Sequence, residues 1–334
     1  MAADPDLDAF ARDAGLVRPG ETALWTPLAG GVSSDIWRLD AGERTVCVKR
    51  ALARLKTAAE WTAPVGRNLY EWRWFQTVGA RFPGRVPKMI ALDEARGCFA
   101  MEFLAAADHP LWKAQLLAGQ ADPAFAAQVG DALGAIHAAT AGDAAMAAGF
   151  ATDAAFHDLR IDAYLLAAAR NRPEVAGELT EIARRTGATH LALVHGDVSP
   201  KNILAGPGGP VFLDAETAWY GDPAFDLAFC LNHLMLKQLV APSACAALRE
   251  SFAALAAAYL AHVDWEPREA LEARAASLLP GLFLARVDGK SPVEYLTDAA
   301  DKALVRAVAI RLLRVPVSTL AQVREAWTQA LHEA

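Results

Sequence analysis

Residues 193–204 read LVHGDVSPKNIL. Two apolar pairs, Leu193-Val194 and Ile203-Leu204, bracket a polar island that holds His195, Gly196, Asp197, Lys201 and Asn202. Apolar flanks of this kind predict strand ends sunk in a core, so the island is a loop fixed from both sides rather than a free surface turn. A carboxylate and, five positions on, an amide are therefore held at a set separation. A second apolar run ending in acid, VFLDAE, comes next, with Asp214 and Glu216. Between the two, GPGGP (206–210) supplies the turn of a small hairpin.

The rest of the chain sets the frame. With 334 residues it is long enough for two lobes, each with a core. The hydrophobic fraction of 54% overstates its greasiness, because much of it is alanine in helix-like segments. A net charge of −7, with no basic block, disfavours nucleic acid as a partner. Cys47, Cys98, Cys230 and Cys245 are scattered among apolar neighbours without a CxxC pair, which predicts buried reduced thiols. The acidic N-terminus, MAADPDLDAFARDAG, has no apolar core of a signal peptide. No uninterrupted apolar stretch reaches the ~18 residues of a membrane span. The expected location is the cytoplasm, with no membrane partner.

The first hundred residues differ in pattern from the remainder. ALWTPLAG, SSDIWRLD and RTVCVKRA are short, rich in strand formers and separated by turns. Asn68–Phe82 has helical apolar spacing, and PKMIALDE and GCFAMEFL read as two further strands around a turn at Glu94–Gly97. The expected first lobe is thus residues 1–104, a five-stranded antiparallel sheet plus one helix, with a short connection near Glu102–Ala107. Residues 105–334 are expected to form a mainly helical lobe, in which the 193–216 region is the strand-like interruption. SPVEYL (291–296) carries Ser, Pro and Glu in capping-box positions and predicts a helix start. RVDGK (286–290) predicts a loop between two helices. His137 and His233 have apolar helical neighbours and are expected to be core or pocket-wall histidines.

In that frame the island takes on a chemical meaning. Phosphoryl transfer from ATP needs a cradle for the phosphates, a cation on them, oxygen ligands for Mg²⁺ and a carboxylate near the acceptor hydroxyl. LAGGVSS (28–34) offers the cradle: Gly30 and Gly31 for backbone approach, Ser33 and Ser34 as donors. Lys49 closes the third strand, where alternation turns inward either Val46 and Val48 or Cys47 and Lys49. An inward lysine requires an anion, and Glu71 on the following helix is the natural partner. Asp197 is expected to accept a hydrogen bond from the substrate hydroxyl, and Asn202 and Asp214 to hold Mg²⁺ by hard oxygen atoms. Glu216 is a further candidate metal ligand, and Lys201 a candidate cation for the transferring phosphate.

HGDVSPKN followed by FLDAETAWYGDPAFDLA resembles the aminoglycoside phosphotransferase/choline kinase superfamily, from about Thr26 to Leu236. The resemblance implies an α+β, bilobal protein-kinase-like fold with a small β-rich N-lobe and a large helical C-lobe. It implies Asp197 as catalytic base, His195 and Asp226 as structural supports of its loop, Asn202 and Asp214 as metal ligands, and Met101–Leu104, including Glu102 and Leu104, as the hinge that meets adenine. HRD, DFG and APE motifs are absent, so the protein Ser/Thr kinases are excluded. A narrower likeness to 5-methylthioribose kinases lies in RVPKMIALDEARGCFAMEFL, HPLWKAQLLAG and the D-x-E pair, and in WTAPVGRNLYE, which favours Glu71 over Glu60 as the partner of Lys49. Two features depart from those kinases. VSPKN follows HGD where they carry a His-Thr-Gly-Ser-like tail, and only Arg311 and Arg314 are candidates for their arginine pair. Trp112, Arg286 and Asp288 are further candidate acceptor contacts.

The expected function is ATP- and Mg²⁺-dependent phosphorylation of a small hydroxyl compound, a sugar or polyol of methylthioribose type. An aminoglycoside or an amino-alcohol such as choline is the alternative acceptor. A nucleotide-binding pseudoenzyme and a metal hydrolase are alternatives of other classes. The pseudoenzyme has no need to keep Lys49, Asp197, Asn202 and Asp214 together, and the hydrolase lacks further ligands. A homodimer is the self-association carried beside the monomer.

Overall fold

The computed structural model describes residues 4–28, 34–52 and 66–333. The chain divides into two compact units, Met1–Asp108 with Leu213–Glu216, and His109–Phe212 with Thr217–Ala334.

The first unit contains α1 (Pro5–Asp13), β1 (Ala23–Pro27), β2 (Ser34–Ala41), β3 (Arg44–Ala51), α2 (Arg67–Arg81), β4 (Met89–Asp93) and β5 (Cys98–Glu102). Its strands form one antiparallel sheet in the order β1-β2-β3-β5-β4. α1 starts where Asp4 Oδ1 accepts the Asp6 N–H at 3.0 Å, with Pro5 next in the chain. Its Leu7, Phe10 and Ala11 pack with Trp25, Leu39, Val46 and Val48. Alternation puts Cys47 and Lys49 on the opposite face of β3, and these are buried as well. Both alternatives for the inward face therefore hold, because β3 is covered on both sides. Burial also pushes the thiols of Cys47 and Cys98 up to about 12, so both stay protonated at neutral pH.

The second unit is mainly helical. It runs through α3 (Trp112–Leu117), α4 (Pro123–Ala138), α5 (Ala144–Gly149), α6 (Asp153–Phe156), a π-helical segment His157–Leu166, α7 (Ala167–Asn171) and α8 (Ala176–Ala188). After the strands β6 (Ala192–Val194), β7 (Ile203–Gly206), β8 (Gly209–Phe212) and β9 (Trp219–Gly221) come α9 (Pro223–Val240), α10 (Cys245–Leu260), α11 (Arg268–Asp288), α12 (Ala299–Arg314) and α13 (Leu320–Glu333). The alanine-rich sequence lets these helices approach closely. A Cβ at Gly130 of α4 would lie 2.2 Å from the Leu255 carbonyl oxygen of α10. α9 is buried along almost its whole length and forms the centre of the unit. No helix among the described residues is long and apolar enough to cross a membrane.

The polar island lies between two small antiparallel pairs. β6 pairs with β9, and β7 with β8 from Ile203↔Phe212 to Gly206↔Gly209, so 206–210 does form a hairpin turn. Leu193, Val194 and Ile203 are fully buried, each contributing about 1.5–3 kcal/mol of burial. Three expectations fail. The first unit holds two helices, α1 and α2, where one was expected, because the Asp4 cap and the apolar Leu7, Phe10 and Ala11 let the N-terminal segment pack on the sheet. Ser291–Asp298 is not helical; α12 starts at Ala299, capped by Asp298, which accepts from the Ala300 and Asp301 N–H groups. Arg286 and Asp288 do not lie in a loop but in the last turn of α11, which runs on through Pro280.

Candidate active site

In the first unit, β3 delivers Lys49 to α2 and to the segment that comes after β8. Its Nζ donates to Glu71 Oε1 at 2.9 Å and Oε2 at 2.7 Å, and to Asp214 Oδ1 at 2.5 Å. Lys49 and Glu71 are almost fully buried, while the Asp214 side chain is 19% exposed. Burial opposes the charged ammonium, but Asp214 and Glu71 outweigh it and, with Glu216, raise the Lys49 pKa above its ordinary value. Burial pushes Glu71 up to about 7 against the pull of Lys49. We assign the proton to Lys49, because two carboxylates face it. Asp214 has φ +64°, alone among the described non-glycine residues in the left-handed region, a conformation costing about 1 kcal/mol or more. Glu216 is differently engaged: its Oε2 accepts from Arg67 Nε at 2.9 Å, and Arg67 also donates to the Leu52 carbonyl at 2.6 Å. The D-x-E pair thus divides into one partly exposed carboxylate on a lysine and one paired with a buried arginine.

In the second unit, α9 fixes the catalytic-loop candidate. Asp226, in its first turn and fully buried, accepts the His195 N–H at 2.7 Å on Oδ2 and the Gly196 N–H at 2.8 Å on Oδ1. His137 of α4 stands behind it, Nε2 3.3 Å from Asp226 Oδ2 and Nδ1 2.7 Å from the Tyr259 hydroxyl. Gly196 has φ +80°, and a Cβ there would come 2.6 Å from the Thr217 carbonyl oxygen, so glycine is required between His195 and Asp197. His195 Nδ1 accepts the Asp197 N–H at 3.1 Å, which aims the aspartate. Asp197 Oδ2 lies 3.1 Å from Arg160 and 3.0 Å from Lys201 Nζ. Asn202 donates its amide to the Asp197 carbonyl at 3.0 Å, which leaves the amide oxygen as its end suited to a cation. A carboxylate with two cations on one oxygen, braced by buried hydrogen bonds, can orient a hydroxyl and take its proton late in a transfer.

A family model for a phosphotransferase enzyme family (APH) matches residues 24–271. The chain belongs to this family of phosphotransferases. The phosphotransferase is 25% identical over 298 residues to a methylthioribose kinase of Erwinia tasmaniensis, across 81% of this chain and 68% of that one. Among solved structures it is similar to the amicoumacin kinase hAmiN in complex with AMP-PNP, Ca²⁺ and Ami, with TM-score 0.57 and 13% identity over 95% of this chain and 96% of that chain. It is also similar to a Plasmodium vivax ethanolamine kinase, with TM-score 0.55 and 13% identity over 92% and 86%. At such identities the likeness is one of fold, and it is the protein-kinase-like fold expected from the sequence. Family membership makes the protein a small-molecule kinase.

The remaining candidates of the phosphotransferase are spread more widely. Gly30, Gly31 and Ser33 lie outside the described residues; Ser34 opens β2, buried, opposite Ala51. Glu102 ends β5, its carboxylate accepting the Lys88 N–H at 3.2 Å, and half-buried Leu104 comes two residues later. Trp112 is buried edge-on against Phe125, 5.4 Å between centroids. Arg286 donates to the Tyr164 hydroxyl at 3.0 Å. Asp288 is held by Arg172 at 2.6 Å and Arg306 at 2.8 Å. Arg311 and Arg314 are on the exposed side of α12 and donate to the carbonyls of Ala326 and Glu174. Arg67 and Arg160 escaped the sequence reading. No motif names either, and other polar residues surround each arginine in GRNLYE and HDLRIDAY, so only partners distant in the chain mark them as buried.

Proposed function

We propose that this phosphotransferase moves the γ-phosphoryl group of ATP, with Mg²⁺, to a hydroxyl of a small sugar- or polyol-like acceptor. The observation that carries the reading is the buried ammonium of Lys49 held between Glu71 and Asp214. Such a cation is costly to bury and is well placed to neutralise the α- and β-phosphates. The AMP-PNP and Ca²⁺ bound by hAmiN support a nucleotide and a divalent cation here, and the methylthioribose kinase likeness supports a sugar.

The donor set fits a hard cation. Asp214 offers a carboxylate on a backbone bent to present it, and Asn202 offers an amide oxygen whose nitrogen is already committed. These two are the proposed Mg²⁺ ligands, with Glu216 as a support that acts through Arg67 rather than a ligand. When bound, Mg²⁺ supplies charge neutralisation on the β- and γ-phosphate oxygens. Asp197 orients the acceptor hydroxyl and takes its proton as the new O–P bond forms and the bond to the ADP oxygen breaks. Lys201, 45% exposed and now on Asp197, is positioned to swing toward the transferring phosphoryl group. His195 and Asp226 keep the loop in place, and residues through Leu104 serve the adenine.

An ADP-release screen with ATP and Mg²⁺ over sugars, polyols, choline, homoserine and aminoglycosides tests the reading. ADP release coupled to phosphorylation of a sugar-type acceptor supports it. An aminoglycoside with kcat/KM near ~10⁴ M⁻¹s⁻¹, with no sugar or polyol turned over, overturns the acceptor class.

A further inference from the structure

The second unit buries another set of charges that the transfer chemistry does not use. α9 carries His233 and Lys237 one turn apart on one face. The His233 Nδ1 is 3.2 Å from the Tyr295 hydroxyl, and Lys237 Nζ stands over the Tyr295 ring at 4.5 Å. Arg286, from the last turn of α11, donates to Tyr164 and lies over its ring at 5.5 Å, with the Ser291 hydroxyl at 3.5 Å. The same Tyr164 ring has Arg160 at 5.6 Å, the arginine that pairs with Asp197. One tyrosine therefore separates Arg286 from the arginine on the catalytic carboxylate.

Lys237 is 1% exposed and Arg286 is 6% exposed. Among the described residues no carboxylate reaches ion-pair distance of either, and the nearby Glu294 is paired with Lys113. Arg286 Nε, His233 Nε2 and both amide ends of Asn232 and Gln238 on α9 have no hydrogen-bond partner among the described residues. A buried charge without a partner is costly, and two that feel each other's field are more so. The field is visible in neighbouring groups. Burial holds His233 well below its ordinary pKa, helped by Lys237, Arg286, Lys201 and Lys113. Burial would raise Tyr164, yet Arg286 and Arg160 bring it down. A fold that keeps such an arrangement beside its catalytic loop has a use for it, and cations with spare donors take an oxyanion: the guanidinium fork and the ammonium both match one.

We propose that the acceptor carries an oxyanion, a carboxylate or a phosphate ester, bound by Arg286 and Lys237 while its hydroxyl is presented to Asp197. The inference rests on the phosphotransferase reading and narrows its acceptor to hydroxy acids or phosphorylated polyols. Choline and aminoglycosides are disfavoured, because their ammonium groups would meet like charge.

The test uses the full chain with ATP and Mg²⁺ and matched acceptors: ribose, ribonate, ribose 5-phosphate and glucosamine, and glycerol, glycerate, glycerol 3-phosphate and ethanolamine. The acid or the ester is expected to exceed its neutral parent at least about thirtyfold in kcat/KM, the scale of one or two charge-assisted contacts. The acid and ester arms separate carboxylate from phosphate. Arg286→Met and Lys237→Met are expected to raise KM for the anionic acceptor by about tenfold or more and leave KM for ATP unchanged. Lys237→Met should also raise Tm by a few degrees, since it removes an unpaired buried charge; a merely structural lysine would lower it. Thermal shifts with ribonate, glycerate, ribose 5-phosphate, glycerol 3-phosphate and inorganic phosphate give a readout independent of turnover. Stabilisation by at least one of them in the wild type, lost in both variants, supports the site. Neutral sugars turned over as well as their acids and esters, or no thermal shift from any oxyanion, overturns it and leaves the kinase reading intact. ATP that does not bind and no phosphoryl transfer to any acceptor class would instead be a failure of the kinase reading itself.

Discussion

Replacing Asp226 by Asn changes one oxygen to an amide nitrogen inside a fully buried site. In the native protein the two carboxylate oxygens accept the His195 and Gly196 N–H groups at 2.7 and 2.8 Å, with His137 at 3.3 Å. An asparagine keeps one acceptor and turns a donor toward the other N–H. The loss of a charge-assisted hydrogen bond costs about 1.5–3 kcal/mol, and a buried N–H left without an acceptor adds about 1–3 kcal/mol. The sum is roughly 2.5–6 kcal/mol. At about 2–4 °C per kcal/mol for a unit of this size, Tm should fall by roughly 5–24 °C. The same change frees the backbone that aims Asp197, and a displacement near 1 Å costs about 100-fold in rate. Thermal denaturation and steady-state kinetics on Asp226→Asn, at a temperature where it is folded, measure both. A Tm within about 2 °C of wild type together with kcat within twofold would refute the bracing role, since a buried backbone donor cannot lose its acceptor at no cost.

Asp214→Asn should raise the half-saturating Mg²⁺ concentration about tenfold or more, whereas Glu216→Gln should shift it less than about threefold. Glu216→Gln should instead lower stability by about 1.5–3 kcal/mol, the loss of a charge-assisted hydrogen bond to the buried Arg67; metal titration and chemical denaturation separate the two, and a reversed order would mean the D-x-E roles are exchanged. Burial, Lys113 and Arg286 bring Lys237 down to about 7 from its ordinary 10.5, against Glu294 and Cys230, with His233 and Tyr295 also facing it. The unfolded chain then binds more protons than the folded one between about pH 7 and 10, so this lysine's destabilising effect is full below pH 7 and fades as the pH rises. The wild type should accordingly gain stability relative to Lys237→Met over that window, as measured by Tm against pH; parallel profiles would contradict a buried, readily neutralised lysine.

The legible parts of the molecule are those where local pattern and tertiary structure agree. The catalytic-loop candidate could be read because LV and IL brackets, a required glycine and turn residues all specify one local geometry, and the structure places His195, Asp197, Asn202 and Asp226 in one hydrogen-bonded set. α1 is not legible in the sequence: its apolar face is narrow, and only the sheet against it makes Leu7 and Phe10 core residues. SPVEYL shows a local signal overridden: Ser291 lies by Arg286, Val293 N–H donates to the Arg286 carbonyl, and Glu294 pairs with Lys113, so the groups of a capping box are committed elsewhere. The π-helical segment that carries Arg160 and Tyr164 has no sequence signature, and their function depends on partners distant in the chain. The arginine pair expected from Arg311 and Arg314 sits on an exposed helix face, while the buried arginines of the second unit are Arg160, on Asp197, and Arg286, on Tyr164. Helical spacing alone does not say which face a neighbour will cover.

Asp197 is proposed as the base of a phosphoryl transfer to a hydroxyl, and the kinetics of Asp197→Ala, alongside ATP binding to the same preparation, bear on that role without an intermediary. kcat should fall by more than ~100-fold while nucleotide affinity stays within about threefold of wild type, because the carboxylate meets the acceptor and not the nucleotide. Turnover near the wild-type rate in a clean preparation would contradict it.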